Sequence, residues 1–239
     1  MKILRVKDYK EMTEKAVGIF VNELSKKNNL VLGLPTGKTP IGFYSKISSL
    51  SKKNIINLEK VKTFNLDEYY PIKRSDKRSF YHFMSKNLYS NTNLKPSNIN
   101  IPNGEVKDYK KECLNYESKL KSFPIDLEFL GIGINGHIAF NEPGSTKDSK
   151  TRLIDLTKET IKKNSNIFNR RTFPKKGLTM GISSILSAKK IILMASGKHK
   201  AKAVECMLNG PISKSCPASF LRDHKDVTII IDKSASSLL

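Results

Sequence analysis

The residues of this chain whose types and spacing could do chemistry gather first in LEFLGIGINGHIAFNEPG, residues 127–144. Leu127, Phe129, Leu130 and Ile132 predict a buried strand, and the glycines after it open a loop carrying Asn135, His137, Asn141 and Glu142. An imidazole and a carboxylate among polar side chains at such a place make chemistry the first reading to test. Open α/β folds keep their ligands outside the carboxyl ends of strands, and this spacing delivers the polar side chains there. Gly131, Gly133 and Gly136 also satisfy G-x-G-x-x-G, but that fingerprint needs a helix opening at its third glycine. Pro143 and Gly144 would end such a helix early, so a nicotinamide site is not expected.

Three other stretches end apolar runs in the same way. VKTFNL, residues 61–66, leads into Asp67, which burial beside Tyr69 and Tyr70 would turn into a general base poised nearer neutrality. A cap or turn is the other use of an aspartate after a strand. NLVLGL runs into PTGKTP, where Thr36, Gly37, Lys38 and Thr39 offer hydroxyls, amides and a cation ahead of a helix. That geometry collects anions, although the P-loop spacing is absent and the segment could be an ordinary strand-to-helix turn. KIILMA, residues 190–195, turns through SGKHK into another helix, and Lys200 is a better anion ligand there than His199, which should face solvent.

The elements that must position these groups alternate. Strands are expected at 2–6, 29–34, 61–66, 99–101, 127–132, 152–156, 190–195 and 227–232. Helices are expected after the capping-box pair Asp8 and Glu11, and at 41–51, 79–88, 108–120, 178–186 and 201–208. Met12, Ala16, Phe20 and Leu24 recur every four residues, so the first helix buries one face. Residues 157–171 read as a lysine-rich helix with little apolar face, and 152–175 as a mobile lid. The expected fold is α/β: one domain over 1–239, a doubly wound, mostly parallel sheet with helices on both faces.

Composition bounds the rest. A net charge of +21, from 43 Lys plus Arg against 22 Asp plus Glu, admits an anionic substrate or a nucleic acid. The lysines are scattered rather than clustered, and no helix-turn-helix precedes the first strand, so neither a DNA-bound sensor nor any nucleic-acid partner is expected. No run approaches a membrane span, and MKILRVKDYKEM lacks the apolar stretch of a signal peptide, which points to the cytoplasm. Cys113, Cys206 and Cys216 lack metal-type spacing and read as free thiols.

GIGINGHIAFNEPG, LGLPTGKTP, FNLDEYY and SGKHKA, in this order, resemble the signature blocks of the glucosamine-6-phosphate deaminase (isomerase) family, over nearly the whole chain. The resemblance implies conversion of glucosamine 6-phosphate and water to fructose 6-phosphate and ammonia, a step of amino-sugar catabolism, with no metal and no other cofactor. It implies Asp67 as the base working between C2 and C1, His137 at the ring oxygen, Glu142 as its orienting partner with Asn135 beside it, and Gly37, Lys38, Thr39 and Lys200 on the phosphate. The wider superfamily includes phosphogluconolactonases, the alternative on the same fold.

Three departures from the family pattern matter. Asn135 stands where many members have aspartate; it can orient His137 but not share its proton, which implies an altered pH profile. Asn166 stands where a phosphate-binding arginine is common, leaving Arg170 or Arg171 to compensate and opening the way to galactosamine 6-phosphate. Arg152 is kept from a basic cluster that serves allosteric activation in hexameric relatives, but Ile154 replaces a lysine, so activation is not expected. The short C-terminus resembles that of compact members, and the choice between monomer and homo-oligomer stays open.

Overall fold

In the computed structural model, which describes residues 1–157, 160–161 and 173–239, the apolar runs become strands β1 (Lys2–Val6), β2 (Val31–Leu34), β3 (Lys62–Asn65), β4 (Asp67–Tyr70), β5 (Ile99–Asn100), β6 (Leu127–Gly131), β7 (Arg152–Asp155), β8 (Lys176–Thr179), β9 (Lys190–Ala195) and β10 (Val227–Asp232). The longer helices are α1 (Tyr9–Lys26), α2 (Ile41–Lys52), α3 (Phe80–Asn87), α4 (Tyr109–Ser122), α5 (Ile182–Leu186) and α6 (Ala201–Asn209). Capping side chains fix several starts. Asp8 accepts from Glu11 N–H at 2.9 Å, Ser79 from His82 N–H at 3.0 Å and Asp108 from Lys111 N–H at 3.0 Å.

Seven strands form one sheet in the order β1-β10-β9-β6-β2-β3-β5, and all its pairings are parallel. The strand order reverses between β2 and β6, which is the switch point where such sheets hold ligands. Met12, Phe20, Phe43, Tyr44 and Phe129 pack on one face of this sheet. Tyr116, Ile185, Val204, Met207 and Leu130 pack on the other. The doubly wound α/β architecture is therefore present.

A second, three-stranded antiparallel sheet, β4-β8-β7, was not expected. The chain leaves the main sheet after β3, and Asp67 already pairs with Thr179 while Glu68 pairs with Leu178. The buried helix expected at 178–186 is corrected: residues up to Thr179 belong to β8, and only Ile182–Leu186 is helical. Gly177 permits this, since a Cβ there would come within 2.8 Å of the Phe140 ring. The strand expected near Arg152 is β7, whereas the lysine-rich helix and most of the expected lid, with Asn166, Arg170 and Arg171, lie outside the described residues.

Glu128 sits inside apolar β6, fully buried, and neither carboxyl oxygen has a hydrogen-bond partner among the described residues. It fits because Gly33, its register partner on β2, has no side chain; any Cβ there would collide with the carboxyl. Burial holds this group well above the ordinary carboxylate range. A carboxyl with a raised folded-state pKa lets stability fall as pH rises above the unfolded value, near 4.3. Glu128→Met is therefore expected to stabilise the fold by about 1–3 kcal/mol at pH 8 and by less at pH 4, measured by urea unfolding at both.

Candidate active site

Four neighbouring strands, β9, β6, β2 and β3, deliver their carboxyl-end loops to a single cleft of about 180 Å³. Thr36, Gly37, Lys38 and Thr39 line one side; Asp67, His137 and Lys200 line it too, with Phe80, Phe140 and Thr160. All four side chains expected to act on or bind the substrate through charge or imidazole, Lys38, Asp67, His137 and Lys200, thus share one cavity. Asn135 and Glu142 stand behind His137 rather than in the cleft wall.

The loop 35–40 is shaped by its neighbours. Gly37 has φ +95°, a left-handed conformation open to glycine. Tyr9 of α1 donates its hydroxyl to Thr39 carbonyl at 3.0 Å and accepts from Gly42 N–H at 2.8 Å, while Tyr44 hydroxyl holds Pro35 carbonyl. Pro40 at the head of α2 supplies no capping side chain, and its place is taken by Tyr9 on Gly42 N–H and by Lys38 carbonyl, which accepts from Ile41 N–H at 3.4 Å. Opposite, Lys200 is buried, and its Nζ donates to Ile132 carbonyl at 2.6 Å, at the carboxyl end of β6. His199 is exposed, as expected.

Asp67 occupies the point where the chain passes from one sheet to the other. Leu66 N–H donates to Leu34 carbonyl at 3.3 Å and Met180 N–H to Leu66 carbonyl at 2.7 Å, so the backbone on its N-terminal side is clamped between β2 and β8. Burial, then the neighbouring Glu68 carboxyl, pushes Asp67 well above the ordinary carboxylate range. Glu68 faces away and caps α3, accepting from Phe80 N–H at 2.8 Å and Tyr81 N–H at 2.9 Å. Burial raises it to about 7 against the pull of those amides. The alternative use of Asp67 as a helix cap is thus filled by its neighbour.

The loop 131–144 opens no helix at Gly136, which has φ +83°, and the dinucleotide geometry is absent. Gly133 N–H donates to His137 carbonyl at 2.8 Å, folding the loop back so that the imidazole lies over Gly133 itself. Asn141 is wholly buried; its Nδ2 donates to Ile138 and Met180 carbonyls, at 3.0 and 2.8 Å, and its Oδ1 accepts from Arg152 at 2.9 Å. It braces the loop rather than facing the cleft. Glu142 Oε2 accepts from Asn135 Nδ2 at 2.7 Å and lies 3.3 Å from His137 Nδ1. Burial works to raise Glu142, but the hydrogen bond and charge of His137, with donors from Thr160 and Asn135, hold it at about 2. Asn135 therefore orients Glu142 with its side chain and touches His137 only through the backbone, accepting from its N–H at 3.3 Å.

Thr160 is the cleft residue that reading by spacing missed: its hydroxyl donates to Glu142 Oε1 from 18 positions away. Thr157 and Thr160 have the spacing of a capping pair, the one local signal available.

A parallel α/β sheet whose switch point carries a glycine-containing loop before a helix, a buried lysine, a carboxyl raised by burial and an imidazole–carboxylate pair is suited to handling a small anionic substrate by proton transfer. Residues 7–230 match the family described as glucosamine-6-phosphate isomerases/6-phosphogluconolactonase, and the chain belongs to it. It is 47% identical over 241 residues to a glucosamine-6-phosphate deaminase of Clostridium novyi (strain NT), covering 100% of both chains. It is 46% identical to one of Clostridium botulinum (strain Langeland), covering 100% of this chain and 99% of that one. Among solved structures, a monomeric glucosamine-6-phosphate deaminase matches with a TM-score of 0.97 and 41% identity over 100% of both chains. A 6-phosphogluconolactonase from Leishmania guyanensis matches with a TM-score of 0.77 at 20% identity, over 98% of this chain and 97% of that one, which is a likeness of fold alone. No helix among the described residues is long and apolar enough to cross a membrane.

Proposed function

We propose that this protein is a glucosamine-6-phosphate deaminase, converting glucosamine 6-phosphate and water to fructose 6-phosphate and ammonia. The observation that carries this reading is the placement of Asp67 and His137, the latter backed by Glu142, on one cleft whose other wall is the loop Thr36, Gly37, Lys38 and Thr39. The sugar phosphate would rest on the amides and hydroxyls of Gly37, Lys38 and Thr39 and on Lys200. His137, held by Glu142, moves the proton between the C1 hydroxyl and the ring oxygen as the ring opens. Asp67 takes the proton from C2, leaving an enolamine, and returns it to C1; water then adds to the C2 iminium and ammonia departs.

The raised carboxyl of Asp67 suits this order of events. Burial works against its charged form, and an arriving substrate ammonium would bring a positive charge beside it and favour the carboxylate that must act as base. The protein is expected to work in the cytoplasm on a small hexosamine phosphate, without a nucleic-acid partner.

The test is to supply glucosamine 6-phosphate, galactosamine 6-phosphate and 6-phosphogluconolactone separately, measuring ammonia, ketose phosphate and lactone hydrolysis. Equal amounts of ammonia and ketose phosphate from glucosamine 6-phosphate are expected. Turnover of the galactosamine epimer in preference would reassign the sugar, and lactone hydrolysis without ammonia from either amino sugar would overturn the reading. Asn135 supplies a further check. Aspartate there would replace a donor to Glu142 with a like charge, so Asn135→Asp is expected to move the acid limb of the pH–rate profile upward, and an unmoved limb would refute it.

A further inference from the structure

Glu142 is an acceptor with four lone-pair sites, and four donors are arrayed on it. Asn135 Nδ2 and His137 Nδ1 meet Oε2, whereas the Thr160 and Thr157 hydroxyls meet Oε1, the latter at 3.4 Å. The first two come from the loop after β6, the other two from the chain after β7. Thr157 also accepts from Thr160 N–H at 3.2 Å, and Ile161 N–H donates to Thr157 carbonyl at 3.0 Å, so Thr157 takes the N-cap position for Thr160 and Ile161. That cap fixes the backbone of Thr160, which is buried and lines the cleft.

We infer that Thr160 is a further positioning residue for the reaction, its hydroxyl locking one oxygen of Glu142 so that the other is presented to His137, with Thr157 holding Thr160 in place. A carboxylate bound only through Oε2 would be free to rotate about its last bond and offer His137 either oxygen or neither. Pinning both oxygens from two chain segments removes that freedom. Other charged groups at this cleft are Asp67 from β4, Lys38 after β2 and Lys200 after β9, while Arg152 on β7 is engaged with Asn141 next to Glu142. His137 lies within ion-pair distance of the Glu142 carboxylate, and none of those other groups bonds to it among the described residues.

This inference rests on the proton-transfer reading of the site, and two readouts keep the two separate. In the first, kcat is followed across pH for the wild type, Thr160→Val and Thr160→Ser. Valine keeps the shape and removes the donor; its kcat is expected to fall about tenfold and its acid limb to rise by about one pH unit, the equivalent of one lost charge-assisted hydrogen bond. Serine keeps the donor and should restore both. In the second, the protonation of Glu142 is followed through the His137 imidazole nitrogen shifts by NMR, which requires no turnover. An inflection at higher pH is expected in Thr160→Val than in the wild type. A wild type that releases no ammonia would defeat the deaminase reading while leaving the NMR comparison to decide the inference. Coincident titrations, or valine and serine variants impaired alike, would overturn the role given to the hydroxyl.

Discussion

Asp67→Asn is expected to lower kcat by about 10²–10⁴-fold while leaving KM nearly unchanged. Asparagine matches aspartate in shape, so the clamp at this position, Leu66 to β2 and Met180 back to Leu66, stays in place. It also removes a carboxyl that burial disfavours in its charged form, so the variant should be at least as stable as the wild type in urea. What disappears is the carboxylate to which the proposed mechanism gives the C2 proton. The split between kcat and KM, from initial rates of ammonia release, distinguishes this from loss of binding. A variant that retains wild-type kcat would remove Asp67 from the mechanism, and one that loses only KM would reassign it to substrate binding.

Gly133→Ala should be almost as damaging, although residue 133 carries no chemistry. The imidazole of His137 lies over this glycine, and an added Cβ would come within 2.3–2.4 Å of three of its ring atoms, too close for the ring to stay. The ring is the end of a flexible side chain, so it will give way rather than the strand, turning out of reach of Glu142 Oε2. A displacement of this order at a reacting group costs about 10²-fold in kcat/KM. The decisive comparison is the double variant. If alanine at 133 acts by displacing the imidazole, then Gly133→Ala with His137→Ala should be no slower than His137→Ala alone. Additive losses would place the effect elsewhere in the loop, and circular dichroism identical to the wild type would confirm that the sheet is intact.

The parts of this site legible in the sequence are those coded locally. Apolar runs ending in glycine mark where strands stop, so the groups after β2, β6 and β9 could be assigned to one edge of a sheet from their neighbours alone. Asp67 was found in the same way, as a polar residue after a buried run. The second sheet was not legible, because its pairing is between distant segments: DEYY and KGLT are short, and the apolar stretch that continues past Thr179 has the density of a buried helix. The support of Glu142 by Thr160 is likewise a contact across 18 residues that no periodicity announces. Glu128 is a different case. A carboxyl inside an apolar strand is visible in the sequence, but its neutral burial depends on the missing side chain of Gly33, on a strand almost one hundred residues earlier.

The central claim is that one cleft takes a proton from C2 of a phosphorylated hexosamine and releases its nitrogen. It is tested most directly by glucosamine 6-phosphate carrying deuterium at C2, with product label and ammonia measured together. Every ketose phosphate is expected to be matched by one ammonia, with the deuterium leaving C2 for C1 or for solvent, and Asp67→Asn is expected to leave it in place. Deuterium remaining at C2 in substrate recovered from long incubation with the wild type, with no ammonia formed, would contradict it.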